Sequence, residues 1–213
     1  MSKTMRKTAA TIALFLAVGV YGASARAQTV VAQTVEDRAT VDEIQAKLLR
    51  LPYYGVFDFL AFSYDRGTVT LSGYAYSGTL KADAERAIKQ VARVDHVIDR
   101  IEELPASSND NNLRWKTYYA IYSDPFLARY APGGGTLWGH RHRVSMTSFG
   151  SAARFAGMQP LGIFPIAIIV KNGHITLMGV VDSESDRTLA GAKARDVAGS
   201  FGVENELTVE KHT

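Results

Sequence analysis

The chain of 213 residues contains no cysteine. That absence excludes disulfides, a lipid-modified cysteine anchor, thiolate metal sites and cysteine nucleophiles. Acidic residues are missing over a long stretch: from Pro125 to Val181 there is no Asp or Glu, while Arg129, Arg141, Arg143, Arg154 and Lys171 supply positive charge. Catalytic signatures are missing too. Ser, His and Asp are present, but no nucleophile elbow and no paired general acid and base can be read, so neither catalysis nor a cofactor is expected. "PGGG" (Pro132 to Gly135) lacks the strand, lysine and helix of a phosphate-cradling loop and reads as a hinge.

Residues 1–27 are the first feature present, and they read as an export signal. Lys3, Arg6 and Lys7 form a basic start, "AATIALFLAVGV" (Ala9 to Val20) is the apolar stretch, and Ala25 and Ala27 offer a small-residue cleavage site before Gln28. The apolar stretch is short for a membrane span, which makes a retained anchor the lesser alternative. The signal holds four of the 24 Lys and Arg and no acid, so 20 basic residues face 21 acidic ones in the remainder. The net charge of −1 removes the hint of nucleic-acid binding that the basic pI of the whole chain would give. The 186 residues left after the signal suffice for one or two small domains. Export without cysteine fits a bacterial periplasm.

The segment 28–35 is polar and without period, and is expected to be a flexible lead-in. "TVDE" (Thr40 to Glu43) has a capping-box pattern, followed by Val41, Ile44, Leu48 and Leu51 at helical spacing and ended by Pro52. Val56 to Asp65 alternates in the manner of a strand buried on both faces, "RG" makes a tight turn, and Thr68 to Tyr76 returns. A helix over Thr79 to Ala92 and a strand over Val94 to Leu104 complete the unit. "PASSNDNN" is polar and is expected to be a linker over 105–111.

The order then repeats. A helix is expected over Leu113 to Tyr122, strands over Ile163 to Val170 and Ile175 to Asp182, a helix over Glu184 to Ala198 and a strand over Val203 to Val209. "GTVTLSG" (Gly67 to Gly73) and "GHITLMG" (Gly173 to Gly179) stand 106 positions apart, and Ser77 and Ser183, Val91 and Val197, and Val97 and Val203 keep the same offset. The chain is a tandem of one supersecondary unit. The fold class expected is α+β, with each repeat a small sheet covered by two helices.

"DRGTVTLSGYAYSGTLKADAERAIKQVARVDHVIDRI" and "KNGHITLMGVVDSESDRTLAGAKARDVAGSFGVENELTV" resemble the BON domain, named for bacterial osmotic-stress and nodulation proteins. The resemblance implies two αββαβ repeats with mixed sheets, over 36–104 and 112–210. It also implies an exported location, phospholipid binding and a part in envelope maintenance or stress. Gly67, Gly73, Gly173 and Gly179 fall at its structural turns. Two departures stand out: "ARVDHV" (Ala92 to Val97) replaces a small glycine turn, and an insertion of about 123–162 interrupts the second repeat.

The insertion is where binding is expected. Arg129, Trp138, His140, Arg141, His142, Arg143 and Arg154, with Lys171 beyond it, combine positive charge with an aromatic ring. Guanidinium pairs with phosphate in a bidentate way, and Trp sits well between polar and apolar media. An anionic phospholipid surface is the expected partner. The competing reading folds the insertion over the sheet, with its rings buried and its arginines in water. A protein interface in the envelope is the alternative function. His140 and His142 lack a third ligand nearby and sit beside arginines, so no metal is expected. The helix "RWKTYYAIY" offers a second face: Arg114, Trp115, Lys116, Tyr118 and Tyr119 would rest on a membrane if the rings are exposed, and otherwise pack on their own sheet.

Overall fold

A computed structural model describes residues 21–132, 159–161 and 164–210. The chain divides into two compact units, Met1–Ala39 and Thr40–Thr213. The first helix, α1, spans Tyr21–Leu48. It corrects two expectations, a flexible segment over 28–35 and a helix start at Thr40. No glycine or proline interrupts 23–51, so nothing in the backbone stops helix propagation before Pro52. No described helix is long and apolar enough to cross a membrane.

The second unit holds both repeats, and its fold is α+β as the tandem pattern predicts. In the first repeat, strands β1 (Phe59–Asp65) and β2 (Thr68–Ala75) are antiparallel, helix α2 (Gly78–Ile88) crosses over, and β3 (His96–Glu103) lies parallel to β2. The second repeats this with α3 (Ser108–Tyr122), β5 (Ile166–Lys171), β6 (His174–Val181), α4 (Glu184–Arg195) and β7 (Gly202–Val209). Ser77 and Ser183 are extended residues whose hydroxyls cap α2 and α4, which explains why serine recurs at that offset.

The duplicated phrase has a backbone cause. The hairpin turns Arg66-Gly67 and Asn172-Gly173 have φ of 44°, 82°, 52° and 80°, two left-handed residues in each turn, as a type I′ hairpin requires. Gly73 and Gly179 have φ of 128° and 138°. A Cβ at either would lie 2.0 Å from a carbonyl oxygen, that of Phe59 or Pro165. Only glycine allows strands to approach so closely there.

Alternation places Leu60, Phe62, Val69 and Leu71 against Ile44, Leu48, Leu80, Ala84 and Ile88 of the helices. The opposite faces of the two sheets meet through Phe59, Ala61, Ala167, Ile169, Met178 and Val180, hence the double-sided burial of β1. The repeats also exchange segments. Val56 and Phe57 precede β1 yet join the core of the second repeat, where the Val56 carbonyl accepts from Ile168 N at 2.8 Å. Conversely, the end of the insertion forms β4 (Gln159–Leu161), which pairs antiparallel with β1 and extends the first sheet to the order β3-β2-β1-β4.

Candidate functional site

Helix α3 starts at Ser108, five residues before the expected Leu113. Ser107 is its cap and accepts from Asp110 N at 3.2 Å. Asp110 is buried, and its carboxylate accepts from the backbone N–H groups of Asn172 and Gly173, each at 2.8 Å. A polar stretch that reads as linker thus fastens the helix to the β5–β6 turn.

Helical spacing buries Leu113, Arg114, Thr117, Ile121 and Tyr122. Trp115, Lys116 and Tyr119 remain exposed on the other side. Trp115 and Tyr119, one turn apart, have ring centroids 6.2 Å apart and planes inclined by 33°. Behind them Tyr118 is half-buried and touches Trp115, Tyr119 and Tyr122 edge-on at 5.6, 5.6 and 4.9 Å. The first repeat contributes Phe57, 5.1 Å from Trp115 and 6.2 Å from Tyr76. Tyr76 donates to Asn111 Oδ1 at 3.1 Å. The result is a braced aromatic surface shared by both repeats, with half-exposed Trp115 and Tyr76 and a more exposed Tyr119. Phe57 and Tyr76 escape a sequence reading because they are local parts of a hairpin there. Only their aromatic character hints at the surface they join.

Arg114 does not belong to the exposed face, which corrects its assignment to the membrane-facing set. It is fully buried, donates from Nη2 to the Val170 carbonyl at 2.7 Å, and lies 4.8 Å from the Tyr76 ring centroid. Burial lowers its pKa, opposed by the charges of Asp110 and Asp58 and by Tyr76. Asp58, also buried, accepts from Tyr76 N at 2.6 Å and Gly55 N at 2.7 Å. Burial raises its pKa, against the effect of those two bonds and of Arg114.

Two other expected binding cations already face carboxylates. Arg129 approaches Asp186 at 2.5 Å and Asp182 at 3.5 Å. Tyr130 joins this cluster by donating to Asp186 at 3.0 Å, and burial pushes its pKa up to about 12. Lys171 pairs with Glu102 of the first repeat. Trp138, His140, Arg141, His142, Arg143 and Arg154 lie outside the described residues.

The tandem α+β repeats thus share one braced aromatic face. The BON domain family model matches residues 36–105 and 152–211, and the chain belongs to that family. Membership places it among membrane- or envelope-associated binding proteins. No curated protein matches. Among solved structures, the chain is similar to CdsD, a structural protein of the type III secretion system of Chlamydia trachomatis. One CdsD structure is 14% identical with a TM-score of 0.25, covering 80% of this chain and 91% of the other. A second, of the CdsD C-terminal domain, is 13% identical with a TM-score of 0.26, covering 81% and 97%.

Proposed function

We propose that this is an exported, non-enzymatic protein of the periplasm that associates with anionic phospholipid surfaces, in the service of envelope maintenance or stress. The observation that carries the reading is the exposure of Trp115 and Tyr119 beside Lys116 on one face of α3. Indole and phenol rings partition to the boundary between head groups and acyl chains. A neighbouring lysine adds attraction for an anionic surface. Arg141, Arg143 and Arg154 are assigned the long-range attraction, since the stretch around them carries no acid, with His140 and His142 adding charge when protonated and Trp138 an interfacial ring. Arg129 and Lys171 are lesser contributors, because carboxylates already neutralise them.

The test is sedimentation with vesicles of neutral and of anionic lipid at low and high salt. Three proteins are compared: wild type, Trp115→Ala/Tyr119→Ala and Arg141→Ala/Arg143→Ala. Binding that needs anionic lipid, weakens with salt and falls in both variants supports the proposal. No sedimentation under any condition overturns it and favours an envelope protein as the partner of the same aromatic face.

A further inference from the structure

An open groove of ≈ 560 Å³ lies between α3 and the end of α4, lined by Lys116, Tyr119, Ala120, Lys193, Asp196, Val197 and Ala198. Its dimensions limit what can enter. The lining spans residues 116–120 of α3, about 6–8 Å at 1.5 Å per residue, and on the other side Lys193 in the last turn of α4 with 196–198 in the turn that follows it. A docked peptide helix needs anchors over two turns or more, which this groove is too short to supply. Its volume falls in the range of small-molecule sites.

The charges select further. Lys193 is held by Asp124 at 3.0 Å, and the hydrogen bond from Lys193 keeps the Asp124 carboxyl below its ordinary range. Lys116 and Asp196 make no ion pair among the described residues, and both are exposed at the rim. Among the described residues the groove therefore offers Lys116 as a cation and Asp196 as an anion without ion-pair partners, with Tyr119, Ala120, Ala198 and the largely buried Val197 as its apolar lining.

We infer that the groove seats a single amphiphile with a zwitterionic phosphate-and-ammonium head of the phosphoethanolamine kind. Its phosphate faces Lys116, its ammonium faces Asp196, and the first part of its acyl chain lies on Ala120, Val197 and Ala198. This rests on the membrane reading above and adds selectivity to it. Surface charge draws the protein to the bilayer, and the groove chooses the head group. Tyr119 belongs to both the aromatic face and the groove lining, so the two contacts adjoin.

The experiment is an NMR titration of the protein with dihexanoyl phosphatidylethanolamine, phosphatidylglycerol and phosphatidylcholine, each below its micelle concentration. The readout is the amide shifts of Ala120 and Val197. The inference expects saturable shifts with the ethanolamine lipid at the lowest concentration. Asp196→Ala should cut that preference about two- to fivefold, the range of an exposed ion pair. Lys116→Ala should weaken both phosphatidylethanolamine and phosphatidylglycerol. Ala198→Trp, a filling change at an exposed position, should abolish the shifts while thermal unfolding shows the fold intact. Absence of shifts with vesicle sedimentation preserved overturns the groove and leaves the surface reading standing. Absence of both overturns both. Equal response to all three head groups, unchanged in Asp196→Ala, overturns the head-group assignment.

Discussion

At the scale of single residues, the second repeat shows what the first one lacks. Gly199 turns the chain before β7 with φ of 98°, and Arg93, 106 positions earlier, adopts 69° without being glycine. The turn for which "ARVDHV" lacks a glycine is therefore kept, at the cost of a left-handed arginine. Such a conformation costs roughly 1–2 kcal/mol, partly offset by the freedom glycine gains when unfolded. Arg93→Gly should accordingly stabilise the protein by about 1 kcal/mol in urea denaturation. Gly73→Ala should do the opposite, by about 3 kcal/mol or more, because the new Cβ meets the Phe59 backbone and not a movable side chain. Asp58 gives a prediction in pH. Burial raises its pKa above the unfolded value, so the folded state binds the proton more tightly. Its contribution to stability is therefore greatest below the ordinary carboxylate range and falls as pH rises from there through the raised value. Thermal unfolding of wild type and Asp58→Asn across acidic pH should show the wild-type melting temperature declining relative to the variant as pH increases. A constant difference would refute the assignment.

At the scale of elements, the hairpins and crossover helices were legible because each is specified locally. Period-2 alternation, the two glycines of each phrase and the Ser77 and Ser183 caps all lie within the unit they define. Elements fixed by distant partners were not. "SSNDNN" has a linker's composition, yet it opens α3 because Asp110 is bound by backbone groups about 60 residues away. Burial of Arg114 depends in the same way on the Val170 carbonyl. β4 has only three residues, including a proline, and its partner β1 lies about 100 residues earlier. Tyr54 fixes that strand by donating to the Leu161 carbonyl at 2.6 Å while accepting from Leu60 N at 3.0 Å. Tyr54→Phe removes both bonds and leaves the Leu60 N–H and the Leu161 carbonyl without this partner. A loss of about 1–3 kcal/mol is expected. Chemical denaturation measures it, and an unchanged midpoint would mean that the Tyr54 hydroxyl adds nothing to the hold on β4. The edges of the sheets follow a shared device: Asp99 Oδ1 accepts from Ile101 N at 2.8 Å, and its counterpart Asn205 accepts from Leu207 N at 3.3 Å. Side chains thus occupy edge groups that would otherwise invite another strand.

For the molecule as a whole, the exchange of segments decides whether the repeats are two domains or one. The polar segment after β3 suggests a place to cut, but three kinds of contact cross it. Val56 and Phe57 leave the first repeat for the core of the second, β4 returns from the second to the sheet of the first, and the faces carrying Phe59, Ile169 and Met178 meet. Each large apolar side chain is worth roughly 1.5–3 kcal/mol when buried, and a domain of this size holds a net stability of about 5–15 kcal/mol. Exposing several at once on either half would consume that margin. Cutting between Ala106 and Ser107 should therefore give two fragments that are each unfolded or aggregated alone, with poorly dispersed amide spectra. Mixed or co-expressed, they should recover the native spectrum, and the uncut protein should unfold in a single transition. A well-dispersed spectrum from the first fragment by itself would show that the repeats are autonomous. The aromatic face could not then be regarded as rigid, because Phe57 and Tyr76 come from one repeat and Trp115 and Tyr119 from the other.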